Sequence, residues 1–526
     1  MSACRKIAEK LTMKIQIDTS AKTIHTDYSW QFGMGNDHAH QILRTDMCEH
    51  MKLAHDELGI KYVRFHGIFD DDMYAYSTFR DFAPMPGNKH KVREMNFRQA
   101  GVVYDNVLKC GMKPFVELSF MPGHLAKGKK KGLHYPNNIT PPKDYKRWSE
   151  FIQAFIGFLI DRYGVEEVKT WYFEVWNEPD LKIFFNGKQK DYFKIYQTTA
   201  NAVKSVCPDL KVGGPSTSAC RWIEDFNAFC KKTNTPCDFV STHHYPGDGF
   251  GNLITVGDYP KIFKIMTSSM KNGDKLDEAM SKMFFFPEKA GKVPKGALTK
   301  MDDDLVKRAN GKPVFVSEWN SMAIFTAPIH DEKYSAAFAL KTVLDLKNTI
   351  NGYMFWCISD IFEELVQINR PFHGGYGIVS NDGIPKPNFW AFKILSKLYP
   401  NRLDVDFRSN GEVEYAAFTN GKDIQVVVYA QTNNPQENKA YDIELCLNTS
   451  AREVTVEAID DEHCNPKRIW REMGAPDNLS PAEVEKIKLQ TALKAETAPY
   501  ESQCDATIIK TTLKSNDIKL FTIYGK

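Results

Sequence analysis

The chain has 526 residues, of which 42% are hydrophobic and 25% are charged, as is typical of a globular protein with one large and one smaller domain. Its formal net charge of +2 excludes the strong attraction to nucleic acids that a basic surface would provide. No run of about 20 apolar residues exists to span a membrane, and the N-terminus lacks the apolar core of a signal peptide. We therefore expect a cytoplasmic protein with no membrane or nucleic-acid partner.

Residues 24–400 alternate between strand and helix patterns. Helical patterns separate eight apolar segments that are rich in β-branched and aromatic residues, and residues 388–398 predict a closing helix. The eight predicted strands lie at residues 30–35, 62–66, 113–120, 171–179, 211–216, 239–245, 313–320 and 352–358. This alternation predicts the α/β fold class, with a (β/α)8 TIM barrel as the main domain.

The pattern changes beyond the predicted barrel. Short alternating segments split by Asn/Gly turns predict an antiparallel β-sandwich, at residues 412–418, 423–429, 441–447 and 453–459. Residues 480–493 predict a small helical insertion and residues 506–524 predict closing strands. The alternating strand 13–18 is expected to pair with these closing strands. The accessory β-sandwich domain is therefore predicted to comprise residues 1–23 and 401–526.

A connection of unusual length, residues 246–312, separates the sixth and seventh predicted barrel strands. It is longer than ordinary loops and carries scattered lysines. Two interpretations stay open: the segment is a lid over the barrel mouth, or it is a contact between copies in an oligomer.

Two predicted barrel strands end in a glutamate. Residues 171–179 run into Asn-Glu178-Pro, and residues 313–320 run into Glu318-Trp-Asn. The C-terminal ends of parallel strands are where barrel active sites lie. Glycoside hydrolysis needs two carboxyl groups, one as proton donor and one as nucleophile or base. The spacing therefore indicates a glycosidase.

Other polar side chains share these strand ends. Alternate residues of a strand point to the same face, so Arg64 points the same way as His66, and His243 the same way as Tyr245. An arginine beside a carboxylate keeps it ionised, and a tyrosine can donate a hydrogen bond to it. The further candidates are Asn177 before Glu178, Trp356 at the end of the eighth strand, and Glu363 and Glu364 in the loop beyond.

Metal-dependent hydrolysis is the competing chemistry. His38 and His40, or His243 and His244, would supply ligands, but no HExxH motif or spaced Cys/His framework accompanies them. The 11 cysteines are scattered. The pair Gly213-Gly214 lacks the lysine and the other glycines of a phosphate-binding loop. We predict no metal and no cofactor.

Segments throughout the barrel resemble glycoside hydrolase family 39, a retaining family. They are FHGIFDDDM (65–73), FMP (120–122), EVWNEPDL (174–181), STHHYP (241–246), VSEWN (316–320), SDIFEE (359–364) and FHGGYG (372–377). In the accessory region DEHCNP (461–466) and WREMG (470–474) resemble the same family. The resemblance thus extends over nearly the whole chain.

The resemblance implies a role for each candidate. Glu178 matches the acid/base and Glu318 the nucleophile, which Arg64 would keep ionised. The substrate-binding positions match Asn177, which would hold the 2-hydroxyl, and His66, Phe120, His243, Tyr245, Trp356, Glu363 and Glu364. The family includes bacterial β-xylosidases and α-L-iduronidases, and its xylosidases are often homotetramers. The accessory segments and the Glu-Glu pair resemble the xylosidases.

The sequence therefore predicts a retaining β-D-xylosidase that cleaves xylo-oligosaccharides from the non-reducing end. Glu363 and Glu364 favour a neutral sugar, because a uronate in this position would meet like charges. Arg370, further along the same loop, leaves a uronate substrate open. The alternatives are an α-L-iduronidase-like or other neutral-glycoside hydrolase, a catalytically silent carbohydrate-binding protein, and a metal-dependent barrel hydrolase.

Overall fold

The structure is a computed structural model that describes residues 13–26, 28–78, 93–132, 134–248, 254–346, 349–364, 367–405 and 411–525. Residues 1–12, which we predicted to belong to the accessory domain, lie outside this set. Among the described residues, no helix is both long enough and apolar enough to cross a lipid bilayer.

The described residues contain twenty-one strands, numbered in chain order. They are β1 (Met13–Ile17), β2 (Thr23–His25), β3 (Gly33–His38), β4 (Tyr62–His66), β5 (Tyr76–Thr78), β6 (Arg93–Met95), β7 (Lys113–Leu118), β8 (Tyr172–Val175), β9 (Lys211–Thr217), β10 (Phe239–His244), β11 (Val314–Trp319), β12 (Gly352–Phe355), β13 (Asn401–Leu403), β14 (Glu414–Thr419), β15 (Ile424–Tyr429), β16 (Ala440–Leu447), β17 (Ala451–Ile459), β18 (Glu496–Thr497), β19 (Glu501–Gln503), β20 (Ala506–Lys514) and β21 (Ile518–Gly525).

The same residues contain fourteen α-helices. They are α1 (Thr45–Leu58), α2 (Arg98–Lys109), α3 (Tyr145–Tyr163), α4 (Val165–Val168), α5 (Gln189–Val206), α6 (Ile223–Thr233), α7 (Tyr259–Asn272), α8 (Leu276–Phe284), α9 (Pro287–Ala290), α10 (Ala297–Arg308), α11 (Lys333–Asp345), α12 (Pro387–Lys397), α13 (Pro466–Glu472) and α14 (Pro481–Gln490).

Local capping explains several helix ends. The Asp144 side chain accepts the backbone N–H groups of Lys146 and Arg147 and so begins α3. Gly59, at φ 76°, ends α1 in the left-handed conformation that glycine adopts without a steric penalty. Ser480 and Glu483 form a reciprocal capping box that begins α14.

Eight strands close a parallel barrel in the order β3, β4, β7, β8, β9, β10, β11 and β12. The predicted TIM barrel is thus confirmed. The first barrel strand begins at Gly33 rather than at Trp30, because Ser29–Phe32 form a 3-10 turn that packs Trp30 into the core. Aromatic side chains from the beginnings of the strands, among them Phe115 and Phe315, fill the opposite end of the barrel interior from the polar site.

The accessory domain is built from two sheets that share a separate apolar core. One sheet has the order β18-β17-β21-β15-β14-β13-β2 and the other β1-β16-β20-β19. β1 pairs in parallel with β16, and β16 separates it from the closing strand β20, so the predicted pairing of β1 is wrong. Alternation in β1 specifies which face is buried but not which strand lies beside it.

The loop between β12 and α12 carries Glu363 and Glu364 and is anchored by a buried lysine. The Nζ atom of Lys386 lies 2.8 Å from Asp331 and 2.9 Å from Asp360, and none of these three side chains is exposed. The cation therefore holds this loop to the segment that follows β11. Its loss would leave the buried Asp360 without its ion-pair partner, and Asp331 with the longer 3.4 Å contact to Lys467.

The described part of residues 246–312 forms the four helices α7 to α10. Met280 of α8 packs against aromatic residues beside the barrel mouth. The Nη1 atom of Arg370, in the loop after β12, lies 3.2 Å from Asp277 and 3.0 Å from Glu278. This segment therefore supports the rim of the site.

Candidate active site

Glu178 and Glu318 lie at the C-terminal end of the barrel, and each is 7% exposed. Glu178 follows β8 and has a left-handed φ of 39°, held by a 2.8 Å hydrogen bond from its backbone N–H to the Ser216 carbonyl. Such a conformation costs of order 1–3 kcal/mol in a non-glycine residue and is common at functional sites. The pairing of β11 shifts register between Val316 and Trp319, around Glu318. Bulges of this kind re-aim side chains beside active sites.

His243 joins the two glutamates. Its Nδ1 atom lies 3.1 Å from Oε1 of Glu178 and 3.3 Å from Oε2 of Glu318. Its Nε2 atom faces the Ser216 hydroxyl at 3.4 Å. Burial, with the neighbouring cations Arg64 and His66, lowers the pKa of His243 well below its usual range. A neutral imidazole thus bridges the carboxyl pair.

Glu318 has the partners of an ionised carboxylate. Its Oε2 atom lies 3.4 Å from Nη1 of Arg64, and its Oε1 atom accepts a hydrogen bond from the Tyr245 hydroxyl. Burial raises the pKa of Glu318, while Arg64, the protonated His66 and the Tyr245 hydrogen bond oppose that rise. Of the two glutamates, Glu318 is therefore the one that the site keeps as an anion.

Glu178 has the opposite electrostatic environment. Burial raises the pKa of Glu178 well above its usual range, and the negative charges of Glu318, Asp180, Glu364 and Asp248 raise it further. A protonated Glu178 beside an ionised Glu318 is the pair of states that general acid and nucleophile require.

Arg64 is held by two acids that the sequence reasoning missed. Its Nε atom lies 2.7 Å from Glu174, and Nη2 lies 2.8 Å from Glu117 and 2.8 Å from Oδ1 of Asn177. Ser317 donates a 2.7 Å hydrogen bond to the other oxygen of Glu174. Both acids stand inside apolar strands, two residues after an aromatic residue of the barrel interior, and that pattern could have identified them.

His66 is an imidazolium within an aromatic wall. Burial lowers the pKa of His66, but the Glu117 carboxylate, 2.8 Å from Nδ1, outweighs this and raises it to about 9. The Trp356 ring lies 4.7 Å from the His66 ring, and the Phe120 ring lies 6.3 Å from it, measured between centroids. Trp356 and Phe120 are both buried.

The structure separates Glu364 from Glu363. Glu364 is 9% exposed, and its burial raises its pKa to about 8, with His66 lowering it and Glu318 and Asp37 raising it. Glu363 is half-buried, its charge acts on Arg44 at the beginning of α1, and its backbone N–H donates to Asp37 at 2.8 Å. The Glu364 charge acts on Glu178, whereas the described electrostatic contact of Glu363 is with Arg44, outside the carboxyl pair.

Asp37 is a second acid of this wall that the sequence reasoning missed. It accepts a hydrogen bond from the Tyr135 hydroxyl, and burial raises its pKa to about 6. His38, one of the metal-ligand candidates, binds Asp70 at 3.0 Å through Nε2.

Glu178, His243 and Glu318 are also a set of side chains that could ligate a metal, since one atom of each lies within 4.8 Å of the others. The guanidinium of Arg64 already lies against Glu318 in this cluster. A second cation would have to bind beside that fixed positive charge. The donor set thus fits a metal less well than it fits acid–base chemistry.

The comparisons with known proteins cover both domains. The model of glycosyl hydrolases family 39 matches residues 13–275 and 272–507. A β-xylosidase from Caldicellulosiruptor saccharolyticus is 38% identical over 490 residues, 92% of this chain and 92% of that protein. One from Geobacillus stearothermophilus is 31% identical over 464 residues, 87% of this chain and 85% of that protein. Among solved structures, a monomeric β-xylosidase from Caulobacter crescentus CB15 has a TM-score of 0.77 and 26% identity, covering 98% of this chain and 100% of that one.

Proposed function

The chain belongs to glycosyl hydrolases family 39, and from that membership we propose that it is a retaining β-D-xylosidase (a xylan 1,4-β-xylosidase) that releases xylose from the non-reducing ends of xylo-oligosaccharides. The observation that carries the proposal is the pair Glu178 and Glu318, bridged by His243, with Arg64 and Tyr245 on Glu318 alone. The two β-xylosidases that match most of the chain support the choice of sugar.

In the first step Glu318 attacks the anomeric carbon of xylose while Glu178 gives its proton to the leaving glycosidic oxygen. The attack is assisted because Arg64 and Tyr245 orient Glu318 and hold it ionised. As positive charge develops on the ring, Asn177 strengthens its hydrogen bond to the 2-hydroxyl. The Nδ2 atom of Asn177 is buried with no hydrogen-bond partner among the described residues, and is thus free to make this contact.

In the second step Glu178 removes a proton from water, which attacks the xylosyl-Glu318 ester and releases xylose with its original anomeric configuration. The spacing supports retention, since one oxygen of each glutamate lies within 4.8 Å of the other. Retaining enzymes hold their carboxyl groups about 5–5.5 Å apart, and inverting enzymes about 6.5–9.5 Å apart, to admit a water.

The ion pairs of Arg370 favour a neutral sugar. From the sequence alone, this residue could have bound the carboxylate of a uronate substrate. Arg370 lies 3.2 Å from Asp277, 3.0 Å from Glu278 and 3.4 Å from Asp477, and its guanidinium stands 5.3 Å from the centre of the Trp470 ring. Because three carboxylates already balance this cation, it is not available to a substrate carboxylate.

Cleavage from the chain end is favoured by burial of the sugar-binding wall. Trp356 is 1% exposed and Phe120 is 0% exposed, and both rings pack against His66, whose charge acts on Glu318. A closed wall accommodates a terminal residue, whereas an internal residue needs an open cleft on both sides of the bond.

A panel of 4-nitrophenyl glycosides tests the substrate. The β-D-xyloside is expected to be cleaved fastest, with weaker action on α-L-arabinosides and on other neutral glycosides. Faster turnover of an α-L-iduronide would favour the iduronidase-like alternative, and no turnover of any glycoside would favour a carbohydrate-binding protein. Full activity after dialysis against a chelator is expected, and its loss would favour a metal-dependent hydrolase.

A 2-deoxy-2-fluoro xyloside with a good leaving group tests the nucleophile. The fluorine slows both steps, so the covalent intermediate should accumulate. Peptide mapping should locate the sugar on Glu318, and a label on any other residue would contradict the proposed mechanism. Glu318→Ala should also fail to cleave activated aryl xylosides, because the covalent route is gone.

We also propose a homotetramer in a bacterial cytoplasm. The tetramer comes from the family resemblance, and the scattered 11 cysteines suit a reducing compartment. The relative from Caulobacter crescentus CB15 is described as monomeric, so assembly differs from one relative to another. Light scattering of the purified chain measures its assembly, and cell fractionation its location.

A further inference from the structure

Helix α7, the first helix of the connection 246–312, exposes a row of large apolar side chains. Tyr259 is 60% exposed, Phe263 66%, Met266 37% and Met270 77%. Val256, just before the helix, is 78% exposed. Soluble monomers rarely leave so many large apolar side chains next to one another in water.

A neighbouring face of α7, about 100° around the helix axis from the exposed row, already packs on the protein. Ile262 and Ile265 are half-buried, and Ser269 is buried. The exposed row is therefore not the helix's own core face turned outward. The apolar arc of α7 is therefore wider than the face that the chain itself covers.

The four exposed residues follow the spacing of a coiled-coil seam. Tyr259, Phe263, Met266 and Met270 are separated by four, three and four positions, as are residues that interlock between paired helices. The row is also symmetric about the point between residues 264 and 265. In an antiparallel pair with a two-fold axis at that point, Tyr259 faces the partner's Met270, and Phe263 faces the partner's Met266. Each aromatic ring then meets a methionine sulfur, a favourable contact.

The antiparallel arrangement also suits the helix dipoles, because it places the positive end of each helix dipole beside the negative end of the other. The spacing of the apolar row sets the register of the pair.

The area is sufficient for a dimer. A fully exposed large apolar side chain presents about 150–250 Å², so the exposed row, with Val256 and the 53%-exposed Leu276, offers roughly 700 Å² per copy. A stable interface buries about 800 Å² per partner. Polar residues at the rim supply the remainder in ordinary interfaces.

We propose that α7 is a self-association surface, through which two copies of this chain pair antiparallel across a two-fold axis between residues 264 and 265. Such an interface is isologous and closes on itself. The inference rests on the exposed helix and is independent of the proposed substrate.

Pairing through α7 would also brace the active-site rim. The next helix, α8, begins four residues after α7 ends and binds Arg370 through Asp277 and Glu278. Met280 of α8 packs beside the barrel mouth. Dimerisation through α7 would therefore hold α8 in place, and α8 in turn holds the loop that carries Glu364.

Sedimentation velocity of the full chain, from about 0.1 to 50 µM, tests the surface. The wild type is expected to have at least twice the 60.1 kDa mass of one chain, and Phe263→Glu should halve the observed mass. Leu489→Glu is the matched control, because Leu489 is 70% exposed on a different helix, α14, and it should leave the mass unchanged. A monomeric wild type, or a Phe263→Glu variant of unchanged mass, would overturn the proposal.

Cysteine cross-linking tests the register, in a Cys504→Ser background because Cys504 is exposed. Under oxidised glutathione, a mixture of Phe263→Cys and Met266→Cys chains should form an interchain disulfide faster than either variant alone. Self-linking of Phe263→Cys alone would indicate parallel helices and overturn the antiparallel pairing. If the chain is monomeric and α7 instead binds vesicles of anionic phospholipid, the surface is a membrane contact and the proposal fails.

Discussion

Replacing Glu364 with alanine is predicted to lower kcat/KM for 4-nitrophenyl β-D-xyloside, whereas the same change at the adjacent Glu363 is predicted to have little effect. The structure provides the contrast. Glu364 is buried within the electrostatic range of His66 and Glu318. Glu363 is half-buried, and the hydrogen bond that it gives to Asp37 comes from its backbone N–H, which alanine retains. Glu363→Ala is therefore a matched control.

The magnitude follows from the protonation state of Glu364. Because burial raises the pKa of Glu364 to about 8, the group is mostly a neutral acid at pH 6. A neutral carboxyl group can form two hydrogen bonds to adjacent sugar hydroxyls, each contributing about 0.5–1.5 kcal/mol. Losing both costs about 1–3 kcal/mol, or roughly 5- to 150-fold in kcat/KM. Glu363→Ala should stay within about threefold of the wild type.

The Glu364→Gln variant tests whether Glu364 acts as a neutral acid or as an anion. Glutamine keeps the shape and hydrogen-bonding capacity of the protonated acid, so at pH 6 this variant should retain most of the wild-type kcat/KM. Above pH 8 the wild type gains a negative charge there and the variant does not, so the two pH profiles should diverge. Equal losses of kcat/KM in Glu363→Ala and Glu364→Ala would refute the placement of Glu364, rather than Glu363, in the site. A Glu364→Gln variant with a kcat/KM as low as that of Glu364→Ala at pH 6 would refute the protonated state of Glu364.

Three further substitutions test other parts of the site and fold. Glu178→Ala should slow xylobiose hydrolysis by about 10²–10⁴-fold, yet the variant should still form the glycosyl-enzyme from a dinitrophenyl xyloside. Azide should then speed turnover of that intermediate and give a product with retained configuration. The absence of any response to azide would contradict the acid/base role. Tyr245→Phe removes a hydrogen bond to an ionised carboxylate, worth about 1.5–3 kcal/mol. The pKa of Glu318 should therefore rise, and the acidic limb of the kcat/KM profile should move up by about 1–2 pH units; an unmoved limb counts against that contact. Lys386→Met should lower the free energy of unfolding by about 3–5 kcal/mol in urea titrations, whereas Lys393→Met, at a surface ion pair, should cost less than about 1 kcal/mol.

The barrel and its two glutamates could be predicted because their signals are local. Apolar strands alternating with helices define the fold class. In a parallel barrel, an acidic residue at the end of such a strand lies at the C-terminal end of the barrel, where active sites are found. Arg64, His66 and Tyr245 could be assigned to the interior from strand alternation. These inferences need no knowledge of which strands are neighbours.

The rest depended on contacts between distant parts of the chain. Glu363 and Glu364 are adjacent in a loop, where no periodicity indicates which side chain enters the site. The pairing of β1 with β16 joins residues more than 400 positions apart. The partners of Arg370 come from the connection 246–312 and from the accessory domain, so the sequence could not show that Arg370 is already ion-paired.

Charge balance inside the barrel explains which acid we propose as the nucleophile. Arg64 and the protonated His66 bring two positive charges, and both contact Glu117, while Arg64 also contacts Glu174. Glu318 is the third acid against Arg64, at 3.4 Å. Two cations and three acids leave one net negative charge, and Glu318, the most exposed of the three acids, is the one that a substrate can reach.

A further negative charge in this space would be costly, because charges interact strongly where water is excluded. Glu178 and Glu364 therefore hold their protons, and burial with the charge of Glu318 raises the pKa of both. Those are the two acids that the proposed reaction needs neutral, one to protonate the leaving oxygen and the other to hydrogen-bond the sugar. When Glu318 forms the xylosyl ester its charge disappears, and the pKa of Glu178 falls. The same residue then becomes the base that the second step requires, so the order of proton transfers follows from how the barrel arranges its acids around Arg64 and His66.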